Sequence, residues 1–406
     1  MAISRIQNQM KKLKYFVFLL LTSLLFRSEL NAQVTPVYTV LFTHIEDNSP
    51  AGIIGSAQCK QNYLLIRGRL VQLAQLMKSY QIKWSFEPDW KILLAALQYE
   101  DSTVMQTTNG KNFLKYFKEN LNVAIDPHSH ENQGFNYTDV AHLLDSLNVG
   151  GSKVIGGHIW DPSLPQFAAW DRFRVPVFGT KYPWSVWQGN ILMGSGTPNH
   201  VNDPEISGIW RPQDRDHYFM DDPNGNIYCV GKYKDDISTV NELINLYKIQ
   251  TVDTTCMLTI SHHINLSEIS AQNGFTNIEN TILKPLDSLR KLNEVVLTDF
   301  TSLIDEWKTK FHENACIYDP AIPTSTNEYN SVNENKYLVY PNPITDHIHI
   351  QNTKGNEFLE LMNVCQQNFW SGKNIEQEDF SNLIGGIYVL KVSCNNSIRT
   401  IKLVKI

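Results

Sequence analysis

Across residues 37–311, short β-branched runs alternate with segments whose apolar residues recur at helical spacing. VYTVLFTHIED reads as a strand that delivers polar residues at its C-terminal end. Residues 63–80 then place Leu64, Leu65, Leu70, Leu73, Leu76 and Met77 at helical intervals. IKWSFEPDW predicts a second strand, ILLAALQ and FLKYFKENL predict helices, and VAIDPHSHE a further strand. Helix TDVAHLLDSL, strands in KVIGGHIWDP and TCMLTISHHIN, and the closing strand and helix of VVLTDFTSLIDEWKTKF repeat the theme. Such strand–helix units argue for a parallel α/β sheet. About seven of them over roughly 280 residues favour a closed (β/α) barrel.

Two stretches depart from this rhythm. Between residues 161 and 226 the chain is rich in aromatics, Pro and Gly, and VPVFGT and ISGIWRP are expected as two barrel strands set in long loops. Long ordered loops in a compact domain are usually functional. Residues 316–336, CIYDPAIPTSTNEYNSVNENK, are polar and aperiodic and read as a linker. Beyond it, YLVYPNPITDHIHIQN, FLELMNVCQQNFWSGK, GGIYVLKVSCN and SIRTIKLVKI alternate apolar and polar residues. They predict a small all-β sandwich over residues 337–406.

The N-terminus is set apart. Lys11, Lys12 and Lys14 precede the apolar run YFVFLLLTSLLF, and Leu30-Asn31-Ala32 offers a cleavage point. This is the layout of a signal peptide over residues 1–32. The run would span about 18 Å as a helix, short of a bilayer core of roughly 30 Å. The expected mature chain is secreted or held at the cell surface, with no transmembrane segment. The 35 basic residues stand against 41 acidic ones, which leaves no broad positive field for nucleic acid. Six cysteines lack any CxxC spacing, so a zinc knuckle is not expected, and Cys365–Cys394 is the disulfide to test first.

Candidate chemistry gathers at strand ends. Thr43-His44-Ile45-Glu46-Asp47 closes the first strand with adjacent carboxylates, whose repulsion favours a metal or a proton between them. In Asp126-Pro127-His128-Ser129-His130-Glu131 the two histidines are two residues apart and share a strand face. Imidazoles so placed suit zinc. His158 and the pair His262-His263 arrive at two further strand ends. In a (β/α) barrel the C-terminal strand ends build the active site. There is no Gly-rich phosphate loop, no GxSxG elbow and no cysteine with a clear catalytic partner.

With these motifs, residues 37–312 resemble the polysaccharide deacetylase (NodB-homology) family, whose fold is a distorted seven-stranded (β/α) barrel. The resemblance implies Glu46 as general base, with Asp47, His128 and His130 holding a divalent metal, expected to be zinc, and His262 as general acid. Ser129 matches the residue after the first ligand histidine, and Ile260-Ser261-His262 the family's last motif. Several positions depart from the pattern. Glu46 replaces an Asp, Asn48 a Gly and Asn132 a His, while Trp210-Arg211-Pro212 only loosely replaces an Arg-x-Pro motif. Trp160, Trp184, Trp187 and Trp210 would offer flat faces to sugar rings, with His158, Arg211 and His263 as polar neighbours. The implied reaction is removal of N- or O-linked acetyl groups from a polysaccharide. Other metal-dependent amidohydrolases or phosphoesterases, and an inactive carbohydrate-binding barrel, are the competing readings.

The C-terminal segment resembles a second family. Tyr340-Pro341-Asn342-Pro343, Gly386-Ile387-Tyr388-Val389-Leu390 and the terminal Lys402-Leu403-Val404-Lys405-Ile406 are similar, in order and spacing, to the type A sorting domain of the type IX secretion system. That resemblance implies export by the type IX machinery.

Overall fold

The computed structural model describes residues 35–131, 133–158, 168–193, 205–320, 337–351, 353, 355–363, 367–394 and 397–405. The chain divides into two units, Met1–Pro320 and Ala321–Ile406.

The main unit is a mixed α/β fold organised around β1 (Val37–Ile45), which is buried along its whole length. Alternation decides its two faces. Val37, Leu41 and Ile45 pack into the larger hydrophobic core, while Tyr38, Val40 and Phe42 join a second core with Val154, Met193, Val230 and Trp307. The parallel sheet runs β10 (Thr259–His263), β1, β2 (Ser85–Pro88), β3 (Ala124–Ile125), and β11 (Val295–Thr298) also pairs with β1. Two registers matter for function: Phe42 lies beside His263 across β1–β10, and His44 lies beside Glu87 across β1–β2.

A second sheet runs β4 (Val154–Ile155), β7 (Ile191–Met193), β9 (Tyr228–Val230), β8 (Ile209–Trp210). Backbone contacts tie the two sheets together. His128 forms a parallel bridge with Gly156, and the Ser261 N–H donates to the Lys232 carbonyl at 3.0 Å. Two sequence expectations are corrected here. VPVFGT supplies β5 (Val177–Phe178), which pairs only with β6 (Val186–Trp187) in a hairpin, and ISGIWRP supplies β8, which runs antiparallel to β9. The parallel strands of this region are β7 and β9 instead.

Side-chain caps fix the helices that follow the strands. Ser56 caps α1 (Ala57–Ser79), Asp89 caps α2 (Trp90–Tyr99), and Asn136 with Asp139 forms a capping box on α3 (Tyr137–Ser146). Asp299 caps α4 (Phe300–Lys310). Asp139 has a second task, since its carboxylate also accepts the N–H groups of Thr180, Lys181 and Tyr182 and anchors the β5–β6 hairpin to α3.

The unit extends past residue 315, where the sequence pattern placed its end. Tyr318 exchanges backbone hydrogen bonds with Ser207, and Cys316 forms a disulfide with Cys256. The pair expected from the sequence, Cys365–Cys394, falls on Cys365, which lies outside the described residues; the Cys394 thiol lies 3.3 Å from Asn356 Oδ1.

The second unit is all-β. β12 (Leu338–Tyr340) pairs antiparallel with β13 (His349–Gln351). A four-stranded antiparallel sheet runs β15 (Asn368–Gly372), β14 (Phe358–Asn363), β16 (Gly386–Cys394), β17 (Ser397–Lys405). Ile344, Ile348, Leu361, Leu390 and Leu403 form its core. Asn342, inside the Tyr-Pro-Asn-Pro motif, accepts the Val404 N–H and so links two of the sequence signatures.

Candidate metal centre

The polar ends of β1, β2, β3 and β10 converge. His44 and Glu46 sit two residues apart and share a face, and the β1–β2 register sets Glu87 beside His44. The chain leaving β3 brings in His128 and His130. His44 Nε2 lies 3.2 Å from Glu46 Oε1. Glu46 Oε2 lies 3.5 Å from His130 Nδ1 and 3.9 Å from His128 Nε2. On the other side of the same ring, His128 Nδ1 lies 3.4 Å from Glu87 Oε2. Two groups of possible ligands result, sharing His128: Glu46–His128–His130, and His44–Glu87–His128, each with ligand atoms within 4.8 Å of one another.

The two groups differ in access. His44, Glu87 and His128 are buried, whereas the Glu46 and His130 side chains keep 31% and 29% of their surface exposed. The outer group faces solvent as a catalytic ion requires, because such an ion keeps a position open for water or substrate. A cleft of about 310 Å³ beside it is lined by His44, Glu46, Asn48, His263 and Asn265. His263 lies in a stack between Phe42, at 5.1 Å between ring centroids, and His44, at 4.0 Å.

The electrostatics fit a cation. Burial pushes the Glu87 carboxyl well above the usual range, and the neighbouring Asp126 and Glu46 push it further. Burial likewise raises Asp126, to about 7. Burial, with His44 and His262 nearby, pushes His263 down to about 2 and keeps it neutral. Glu87 Oε1 and His44 Nδ1 are buried with no hydrogen-bond partner among the described residues. Carboxylates and imidazoles this buried gain most from a bound cation.

Two glycines shape the wall. A Cβ on Gly157, where φ is +70°, would lie 2.1 Å from His128 Cε1, and one on Gly156 would lie 2.8 Å from Glu87 Oε2. Only glycines let the chain after β4 press against these two side chains.

The sequence-derived site is brought together in part. Glu46 and His263 line the cleft, and Glu46 also faces His128 and His130. Asp47, expected as a ligand, has its Oδ2 accepting from Gln133 Nε2 at 3.3 Å, while the Glu46 carboxylate faces the two histidines. His262, expected as the general acid, alternates with His263 on β10 and lies beside Leu41 rather than Phe42. His158 is buried after β4, its ring edge-on to Phe173.

The aromatic insertion serves mainly as core. Trp210 is buried and donates its indole N–H to the Tyr218 carbonyl at 2.7 Å. Arg211 is locked by Asp221 and Glu313. Trp187 stacks on Tyr137 and donates to the Ser152 carbonyl. Trp184 is 73% exposed at the β5–β6 hairpin. Trp160 and Asn132 lie outside the described residues.

His44 and Glu87 escaped the sequence reading. For His44 the signal was present, since the period of two that joins it to Phe42 and Glu46 is legible in the strand. Glu87 was hidden because its role depends on strand register.

Residues 338–406 match the secretion system C-terminal sorting domain family. The chain thus carries a type IX export signal, which indicates passage through that machinery to the cell surface or beyond. No helix among the described residues is long and apolar enough to cross a membrane. No curated protein matches the chain. Among solved structures, one provisionally assigned as a glycoside hydrolase/deacetylase from Parabacteroides distasonis is similar at 7% identity and a TM-score of 0.44, over 92% of this chain and 84% of that one. PorZ, a surface component of the type IX secretion system of Porphyromonas gingivalis, is similar at 15% identity and a TM-score of 0.16, over 17% of this chain. The matched part spans 11% of PorZ.

Proposed function

We propose that the main unit is an exported, metal-dependent hydrolase that removes N- or O-linked acetyl groups from a polysaccharide. One observation carries the reading: Glu46, His128 and His130 bring ligand atoms within 4.8 Å of one another beside a cleft. The contacts that tie the two sheets together, His128 with Gly156 and Ser261 with Lys232, support a distorted (β/α) barrel in which β1–β4, β7, β9 and β10 are the seven strands. Residues 1–32 are proposed as a cleaved leader, and residues 321–336 as the linker to the sorting domain.

Glu46, His128 and His130 would hold the ion, and their two nitrogens and one carboxylate suit zinc. Such an ion polarises an acyl oxygen and acidifies water towards a pKa of about 7. The protein's own groups do the rest. Glu46 turns Oε2 to the histidines, and Oε1, held by His44 Nε2, is its proton-accepting atom. The imidazole of His263, fixed by its stack on His44, faces the cleft and hydrogen-bonds the leaving group, which departs with the proton that Glu46 took from the attacking water. Asn265 and Asn48 line the same opening with amide donors and acceptors.

The test is acetate release by the full chain from acetylated chito-oligosaccharides, acetylxylan and peptidoglycan fragments, alongside its metal content. Release that requires one bound ion, and is abolished by chelation and by His128→Ala, is expected. A chain that takes up no divalent metal would rule the reading out.

A further inference from the structure

We infer that Glu87 is a positioning residue, which holds His128 in the tautomer and orientation that aim its Nε2 at Glu46 and His130. The inference rests on the metal reading above and concerns a residue that the ligand set itself does not include.

The argument starts from the two ends of one ring. His128 Nε2 faces Glu46 Oε2 at 3.9 Å, while Nδ1 faces Glu87 Oε2 at 3.4 Å. A carboxylate on one imidazole nitrogen fixes the proton there and leaves the opposite lone pair for a metal. Glu87 is fully buried, as is His128, so water does not compete for that contact. The register that sets Glu87 beside His44 gives it no freedom along the strand. The backbone at Gly156 and Gly157 closes the space behind both side chains, since a Cβ at either position would meet Glu87 or His128 below 3 Å. Ring, carboxylate and wall thus define a single orientation. An acid is an unfavourable choice at so buried a position unless a specific partner uses it.

The experiment compares zinc affinity of the full chain with that of Glu87→Gln, by competition titration against a chromophoric chelator. It is paired with the Nδ1–H signal of the His128 ring in the zinc-loaded protein, where the cation keeps Glu87 ionised. Glu87→Gln is expected to weaken zinc binding by about 10- to 100-fold while the metal-free melting temperature holds. It is also expected to move the His128 Nδ1–H signal upfield, because a neutral amide oxygen is a weaker acceptor than a carboxylate. Glu87→Asp, which keeps the charge but shortens the reach, is expected to fall between the two in affinity. Wild-type uptake with unchanged affinity and unchanged ring signals in Glu87→Gln would overturn this inference alone. A fall from two bound ions to one would overturn it too, making Glu87 a ligand. Failure of the wild-type chain to bind zinc would overturn both this inference and the metal reading.

Discussion

His263 stacks on His44 with ring centroids 4.0 Å apart and planes inclined by 26°, which makes the ends of β10 and β1 one wall of the cleft. Its neighbour His262 sits on the opposite face of the same strand. His263→Ala is therefore expected to lower kcat/KM for acetate release by about 10²-fold or more, and His262→Ala by far less. The reverse ranking in steady-state kinetics would return the catalytic role to His262.

Asp47 and His128 are distinguished by metal binding. His128 belongs to both candidate ligand groups, whereas Asp47 belongs to neither and contacts Gln133. His128→Ala should abolish zinc uptake measured by elemental analysis, and Asp47→Ala should leave it intact. Loss of metal from Asp47→Ala would restore that residue to the ligand set.

Gly157 and Gly134 give a matched pair. Both have positive φ, but a Cβ at Gly157 collides with His128 while one at Gly134 meets nothing within 4 Å. Each substitution by Ala carries a backbone cost of about 1 kcal/mol. Gly157→Ala alone should also weaken zinc binding. Equal zinc affinity in the two variants would show that the chain after β4 does not fix His128.

Trp210 and Trp184 should separate core from surface. Trp210→Ala removes a buried, hydrogen-bonded indole and is expected to cost about 3–5 kcal/mol in denaturant unfolding. Trp184→Ala, at an exposed hairpin, should change stability by less than about 0.5 kcal/mol. A stability loss at Trp184 comparable to that at Trp210 would contradict this division.

Asp299 predicts an acid limb of stability. Burial alone would raise its carboxyl, but Lys83, 2.7 Å away, and the Ser302 donors outweigh that and hold it below its ordinary value. A depressed folded pKa contributes stability above the unfolded pKa, and the contribution is lost as pH falls through the folded one. Asp299→Ala should thus cost about 1–2 kcal/mol at neutral pH, mainly through the lost α4 cap. The gap from wild type should close in acid, and a gap independent of pH would disprove the assignment.

The parts of this molecule that were legible in its sequence are those written in local period. β1, β10, β11 and the helices after them carry clear alternation or helical spacing, and the tail carries three spaced signatures. The second sheet was not legible, because strands of two or three residues such as Ile191–Met193 leave no period to read. The site followed the same division. Strand ends marked His128, His130 and His263, but that Glu46 rather than Asp47 faces the two histidines depends on which way a strand end turns. The importance of Glu87 depends on its register against His44, which a single chain does not spell out. The tryptophans are hard to sort for a related reason: an indole packed on Tyr137 or Tyr218 and one open to solvent look alike in sequence.

The Cys256–Cys316 bond lies four residues before the point where the main unit ends. Chain ends ordinarily loosen first and invite proteases. Here the last segment is riveted to the body by a covalent bond and by the Ser207–Tyr318 pairing. Peeling that begins downstream is therefore arrested at Cys316.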